Sequence, residues 1–151
     1  KKYLFTFLSC LFLHGLNAQK AADFQFTFDH HALSVSDLDA SAKFYGEILS
    51  LKETEDAAKN PAIRWFVLRD GRQLHLIQTE EKDIYLTKTV HFSFAAKHFD
   101  KFIKHLENQN IPYSDWLGEP GKIAQRPDGI RQVYIQDPDG YWIEINDVKR
   151  K

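Results

Sequence analysis

Four side chains of the types that bind divalent metal ions lie at strand-like positions in the sequence: His30, His75, His91 and Glu144. Three imidazoles and a carboxylate form a borderline ligand set, which suits zinc, nickel, cobalt, iron(II) or manganese. Catalytic metal sites keep coordination positions open for water or substrate. If the four side chains meet, the chemistry they predict is the binding of a small substrate through two neighbouring oxygens.

Glu144 belongs to the clearest local pattern of the chain. The turn residues Asp137-Pro138-Asp139-Gly140 separate two runs of strand-forming residues, 131–136 and 141–146, which predicts a β-hairpin. Side chains alternate between the two faces of a strand, so Glu144 shares a face with Trp142. A buried carboxylate needs a partner. The candidates are the histidines, acting through a shared metal, or one of three arginines, Arg64, Arg72 and Arg131.

The element that carries His30 opens the first of two similar halves. Residues 26–35 predict a strand, and residues 38–49 predict a helix with Ser36 as N-cap and Asp39 at the capping-box position. Further strands are predicted at residues 51–55, 64–69 and 73–79, with Asp70-Gly71 as a hairpin turn. The second half repeats the order, with a strand at 90–96, a helix that begins near Phe99 and ends at 108–112, and strands at 113–117, 131–136 and 141–146.

This repeat makes His30 equivalent to His91, and His75 equivalent to Glu144. It predicts an α+β fold of two βαβββ modules that form a concave mixed sheet, with the four side chains converging on it. The ligand hypothesis has alternatives, because a single strand histidine is more often a hydrogen-bonded core or surface residue. A register slip of one residue would exchange His30 with its neighbour, which otherwise points to the opposite face. Two further histidines of the second helix region are expected to face solvent: His98 and His105.

Length and composition limit the class of protein. The chain has 151 residues, of which 43% are apolar, which is enough for one ordinary domain or two small fused modules and argues against disorder. Its 20 basic and 21 acidic residues give a formal net charge of -1. This balance provides no electrostatic footprint for nucleic acid, so a nucleic-acid partner is not expected.

The first residues resemble a secretory signal peptide rather than part of the fold. Lys1-Lys2 is followed by an apolar run at residues 3–13 and by small residues up to Ala18, after which cleavage is predicted. We therefore expect a signal peptide at 1–18, a linker at 19–25, and a periplasmic or secreted mature chain that does not span the membrane. Cleavage removes Cys10, the single cysteine, so the mature chain can form no disulfide and no thiolate ligand.

The residues together resemble the vicinal oxygen chelate superfamily, which includes glyoxalase I, bleomycin-resistance proteins and extradiol dioxygenases. The matching stretches are residues 30–38, Phe44-Tyr45, residues 48–51, 73–77, 91–94 and 137–144. The resemblance covers residues 26–147, with module one at 26–80 and module two at 88–147. It implies paired βαβββ modules and one divalent metal ion, held by His30, His75, His91 and Glu144. It also implies catalytic roles for His75 and Glu144.

The resemblance indicates the superfamily more specifically than it indicates the reaction. Glyoxalase I-like enzymes usually carry Glu or Gln at the position of His75, and a metal-bound imidazole is a weaker base. The resemblance implies an isomerase or lyase acting on a small substrate with vicinal oxygens. An extradiol-type dioxygenase is the alternative, with His30, His91 and Glu144 as ligands and His75 free as acid or base. A metal-free module that binds a small molecule, as in bleomycin resistance, is another alternative. Pairing of the two modules within one chain and pairing across a homodimer are both left open.

Overall fold

The computed structural model describes residues 26–57, 59–80 and 86–149, so the predicted signal peptide and linker lie outside the described residues. Module one contains four strands and a helix whose last part, Phe44–Ile48, is a π-helical turn. Their bounds are β1 His30–Val35, α1 Leu38–Lys43, β2 Lys52–Thr54, β3 Ile63–Val67 and β4 Gln73–Gln78.

Module two repeats this order of elements. Its bounds are β5 His91–Ala95, α2 Phe99–Asn108, β6 Ala124–Gln125, β7 Arg131–Gln136 and β8 Trp142–Asn146. Each module forms one four-stranded sheet, with strand orders β1-β4-β3-β2 and β5-β8-β7-β6. In both sheets the first and last strands of the module pair in parallel and the other neighbours are antiparallel. The predicted α+β fold of two βαβββ modules is therefore confirmed, with the strands in two mixed sheets.

One face of each sheet is apolar and buries its side chains against the helices. The alternation of the strands produces this face, since every second residue is large and apolar. Both modules contribute to one continuous core, which includes Leu33, Val35, Leu74, Leu76, Leu106, Val133, Ile135, Ile143 and Ile145. The residues between them in the sequence, including the candidate ligands, lie on the other face.

The turn between β7 and β8 joins the two modules. Asp139 Oδ1 accepts hydrogen bonds from the backbone N–H and the hydroxyl of Ser36, at 2.8 and 2.6 Å, and its Oδ2 accepts one from the Ser41 hydroxyl at 2.9 Å. The buried Tyr45 hydroxyl donates to Asp137 Oδ2 at 2.8 Å. The turn residues of module two thus hold the helix of module one.

Two sequence-based predictions of elements are wrong. The N-cap of α1 is Asp37, which accepts a hydrogen bond from Ala40 N at 2.9 Å, because Ser36 is bound to the distant turn. No capping box forms, since Asp39 pairs instead with Arg64 at 2.9 Å.

Residues 113–117 do not form a strand. Ser114 makes only isolated bridges, and the segment turns back through hydrogen bonds to Asp115 from Gly118 N and Glu119 N. Gly118 adopts a positive φ of 90°, which favours glycine and ends any extended conformation. The remaining strand of module two is the short β6.

None of the helices in the described part of the chain has the length and apolar content required to cross a membrane.

Candidate functional site

The strand registers place the four candidate ligands at equivalent positions of the two modules. His30 pairs with Gln73, two residues before His75, and His91 pairs with Trp142, two residues before Glu144. His75 and Glu144 each lie on the last strand of a module. The repeat predicted from the sequence is therefore present residue by residue, and the shared face of Trp142 and Glu144 follows from the same register.

Glu144 is buried and accepts three hydrogen bonds from side chains of module two. Its Oε1 accepts from Asn146 Nδ2 at 2.7 Å and from the Ser93 hydroxyl at 3.2 Å, and its Oε2 accepts from the Tyr134 hydroxyl at 2.8 Å. Gln132 Nε2 donates in turn to the Tyr134 oxygen at 3.2 Å. Ser93 and Tyr134 are the residues opposite Glu144 on the two neighbouring strands, so the pairing of β8 with β5 and β7 builds this network.

This network keeps the carboxyl group of Glu144 ionised. Burial raises its pKa, but the hydrogen bonds from Asn146, Tyr134 and Ser93, together with the attraction of the His91 ring when that ring is protonated, outweigh burial and leave the pKa below its ordinary value. Burial and the hydrogen bond to Glu144 raise the pKa of the Tyr134 hydroxyl. Tyr134 therefore stays protonated as the donor, and Glu144 stays charged as the acceptor.

His91 directs one ring nitrogen at this carboxylate. Its Nδ1 lies 2.9 Å from the backbone oxygen of Lys88, which can only accept, so Nδ1 carries the proton. Its Nε2 lies 3.5 Å from Glu144 Oε2. In the neutral imidazole two lone pairs face each other across this distance. A cation placed between them would satisfy both, so this pair fits as two ligands of a metal ion.

An aromatic wall lies beside the pair. The ring of Trp116 is 6.1 Å from that of His91 and 5.6 Å from that of Tyr134, both edge to face. Lys88 stabilises the backbone of the loop that carries Trp116, because its ammonium group donates hydrogen bonds to the carbonyl oxygens of Asp115 and Trp116. The same ammonium group lies 4.2 Å from the centroid of the Trp142 ring. Trp116 is 43% exposed, so it can contact a bound molecule.

The candidate ligands of module one, His30 and His75, have different surroundings. His30 Nδ1 lies 2.7 Å from the carboxylate of Asp29, so this nitrogen carries the proton and Nε2 is left free. The His75 ring is stacked between two others, with centroids 4.4 Å from His30 and 4.2 Å from Trp65. Burial, followed by the nearby His30, lowers the pKa of His75 below its ordinary value.

The structure brings the four residues together as two pairs, His30 with His75 and His91 with Glu144. It does not bring the pairs to one point, since no group of three or more His, Cys, Asp or Glu side chains among the described residues could hold a common ion. The four residues therefore do not fit one metal ion within a single copy, although His91 and Glu144 fit as two of its ligands.

The arginines proposed for Glu144 are engaged elsewhere. Arg64 binds Glu53 and Asp39 on the opposite face of its sheet. Arg72 pairs with Asp70, and Arg131 pairs with Asp100 and Asp147. The guanidinium group near Glu144 is that of Arg126, at 3.9 Å from Oε1.

Several functional candidates were missed from the sequence. They are the side chains opposite or beside the four ligands: Gln73, Ser93, Trp116, Gln132, Tyr134 and Asn146. Asn146 follows Glu144 by two residues, so alternation alone could have placed it on the same face. Ser93 and Tyr134 required the strand register, and Trp116 lies on a loop. His31 points to the opposite face from His30, as expected, and its ring contacts Phe92 at 4.9 Å.

Comparison with known proteins agrees with this geometry. The profile of the Glyoxalase/Bleomycin resistance protein/Dioxygenase superfamily matches residues 27–145. The chain belongs to this superfamily. The match begins before β1 and ends at the penultimate residue of β8, so it covers nearly all of the described fold.

Individual relatives of this superfamily member are distant. YwbC of Bacillus subtilis (strain 168), an uncharacterised protein, is 27% identical over 123 residues, which are 78% of this chain and 94% of YwbC. The metallothiol transferase FosB of Staphylococcus saprophyticus is 26% identical over 126 residues, covering 80% of this chain and 76% of FosB. A glyoxalase/dioxygenase structure from Nostoc punctiforme is 27% identical with a TM-score of 0.66, covering 87% of this chain and 97% of that chain.

Proposed function

We propose that this protein is a divalent-metal-dependent enzyme of the isomerase or lyase type, acting on a small substrate with vicinal oxygens. The observation that carries the proposal is the buried, ionised carboxylate of Glu144 facing the free nitrogen of His91. A carboxylate with three hydrogen-bond donors and an imidazole oriented by a backbone carbonyl is the arrangement found around protein metal ligands. Members of the superfamily often bind divalent metals.

The remaining ligand would come from a second copy of the chain. His30 has the same internal arrangement as His91, with Nδ1 bound to an oxygen acceptor and Nε2 free. It occupies the equivalent position of module one, yet it does not reach the second pair within one copy. A homodimer in which module one of each copy faces module two of the other would supply it. Such a closed two-fold arrangement produces two identical sites.

A bound divalent ion would act as a Lewis acid for two neighbouring substrate oxygens. The protein residues have separate tasks. Tyr134, Asn146 and Ser93 hold the carboxylate of Glu144 in one orientation. Trp116 provides an apolar wall that limits where the substrate lies. Arg126 places a positive charge 3.9 Å from Glu144 Oε1, which favours a substrate that carries or develops negative charge.

The test is a complementation experiment with two inactive variants. His30→Ala and His91→Ala should each lower metal content from about one ion per chain to near zero. When the two variants are refolded together, each mixed dimer regains one intact site, so about a quarter of the sites should bind metal. Elemental analysis after gel filtration measures this. No recovery in the mixed sample would contradict the shared site, and no metal in the wild type would contradict the enzyme proposal itself.

A metal-free binding module is the second candidate. The absence of a three-ligand group within the described part of one copy favours it, as do the aromatic side chains of Trp65 and Trp116 beside the candidate ligands. It predicts that the wild type binds no ion and that small aromatic ligands quench tryptophan fluorescence without turnover. A dioxygenase, the other alternative, would bind iron and consume oxygen with a catechol.

We further propose that the protein is exported. The basic start, apolar run and small residues that end at Ala18 support this. Amino-terminal sequencing of the protein recovered from the periplasm or medium should begin at Gln19, and a cytoplasmic chain with an intact amino terminus would contradict export.

A further inference from the structure

The stacked rings of module one limit which histidines can bind one ion. An imidazole nitrogen directs its lone pair in the plane of the ring, so a bound metal ion lies in that plane. The rings of His30 and His75 are inclined by only 14° with centroids 4.4 Å apart. Nearly parallel planes converge only far from the rings. In this arrangement His30 and His75 cannot both ligate the same ion.

The hydrogen bonds distinguish the two histidines independently of the stacking. His30 and His91 each use Nδ1 as the donor, to a carboxylate and to a backbone oxygen, and leave Nε2 free. His75 has the reverse arrangement, because its Nε2 lies 2.9 Å from Gln73 Oε1, which can only accept. His75 therefore carries its proton on Nε2 and leaves Nδ1 free. Only His30 and His91 have the pattern that fixes a ligand histidine through its second nitrogen.

We propose that Trp65 and Gln73 are positioning residues that hold His75 outside the metal coordination sphere, with its Nδ1 available to a substrate hydroxyl group. The inference rests on the proposed metal-dependent function and refines it, since the ligands are then His30, His91 and Glu144. His75 becomes the residue that recognises the substrate. The substrate class is narrowed accordingly, to compounds in which a hydroxyl group accompanies the chelating oxygens.

Trp65 positions His75 by stacking alone. It lies directly opposite His75 in the strand register, and the two rings are inclined by 6° with centroids 4.2 Å apart. Its indole Nε1 is buried and has no hydrogen-bond partner in the described part of the chain. Phenylalanine at this position would therefore keep a stacking ring and remove no hydrogen bond, which makes Trp65→Phe the conservative variant and Trp65→Ala the disruptive one.

Metal titration of four proteins tests the exclusion of His75 from the coordination sphere. Zinc affinity should fall by more than about 100-fold in His30→Ala and His91→Ala but stay within about threefold of the wild type in His75→Ala. A loss in His75→Ala as large as in the other two would overturn the inference while leaving the metal-dependent function intact.

Nuclear magnetic resonance of the 15N-labelled, metal-free protein tests the positioning itself and does not depend on metal binding. The ring nitrogens of His75, assigned with His75→Gln, should show the Nε2–H tautomer, and its ring protons should be shifted upfield by Trp65. Trp65→Phe should keep part of this shift and Trp65→Ala should abolish it. Gln73→Leu should mix the tautomers, whereas Gln73→Glu, which keeps an acceptor oxygen, should restore the single one.

The two measurements separate failure of the inference from failure of the proposed function. If the wild type binds no zinc, the metal-dependent function fails and the resonances alone decide the positioning. An Nδ1–H tautomer of His75, or ring shifts unchanged in Trp65→Ala, would overturn the inference whether or not metal binds.

Discussion

Glu144 and His75 occupy equivalent strand positions but have opposite surroundings. The neighbours of Glu144 across the sheet are Ser93 and Tyr134, which both donate hydrogen bonds to it. The neighbours of His75 are Ala32 and Trp65, which donate none. A charged group is thus supported in module two, and a stacked ring is supported in module one. The residue type at each of these two positions therefore suits its neighbours: a charged group at Glu144 and a stacked ring at His75.

Replacement of Tyr134 by phenylalanine tests the support of Glu144. The lowered pKa of Glu144 adds stability above the unfolded value of about 4.3, and this stability is lost as pH falls through the folded value. Without the Tyr134 donor the pKa rises towards its ordinary value. We expect the free energy of unfolding at pH 7 to fall by about 1–3 kcal/mol. The difference in free energy of unfolding between this variant and the wild type should become smaller below about pH 4.

Urea unfolding across this pH range measures the effect, and Tyr113→Phe is the matched control. The Tyr113 hydroxyl also donates to a glutamate, Glu107, at 3.1 Å, but this pair is exposed. Its loss should change stability by less than about 0.5 kcal/mol. Equal losses in the two variants, or a Tyr134→Phe deficit that does not vary with pH, would contradict the role of Tyr134.

The turn that joins β7 to β8 makes contacts with residues distant in the sequence, which a hairpin turn does not require. A turn with the same residue types, Asp70-Gly71, joins β3 to β4 in module one, and its Asp70 bonds only locally to Arg72. Asp139 instead accepts hydrogen bonds from two serines that lie 98 and 103 residues away in the sequence. The same local signal therefore has an added structural role in only one of the two modules.

A double-mutant cycle on Ser41 and Asp139 measures this contact. Ser41 is fully buried, so Asp139→Ala leaves its hydroxyl without its charged acceptor and should cost about 1.5–3 kcal/mol of stability. Ser41→Ala combined with Asp139→Ala should be less destabilising than the sum, by about 0.5–3 kcal/mol. Asp70→Ala is the control and should cost less than about 1 kcal/mol. Strict additivity would argue against the contact.

The sequence predicts strands better than it predicts the ends of elements. The alternation of apolar and polar residues predicts β4, β5, β7 and β8 within one or two residues, because one buried face forces that alternation. The cap of α1 was missed since Ser36 is bound to a residue distant in the sequence. The stack on His75 was missed for a related reason: it depends on which residue of β3 lies opposite, which local patterns do not specify.

The two modules are linked by side chains rather than by a shared sheet. Their strands form two separate four-stranded sheets, and each sheet carries one pair of candidate ligands. A metal ion shared by two copies would therefore connect assembly to metal binding. Folding, assembly and metal content should then vary together.

Thermal unfolding at several protein concentrations tests this connection. With zinc present, the midpoint temperature should rise with protein concentration, because unfolding then separates two copies. With a chelator the midpoint should fall. Ligand imidazoles must be deprotonated, so metal should also leave below about pH 6. A midpoint independent of concentration, or metal retained at about pH 4.5, would contradict histidine ligation between copies.

The unequal surroundings of the two central residues also affect how the protein can change. Every hydrogen-bond donor to Glu144 lies in module two, so substitutions in module one leave its charge and orientation intact. The apolar neighbours Ile63 and Ile77, which face each other beside His75, can vary at little risk to that anchor. In laboratory evolution, libraries confined to Ile63 and Ile77 should yield new substrate ranges with few inactive members. A protein built from two similar modules can thus keep the residues of one module constant while residues of the other module change.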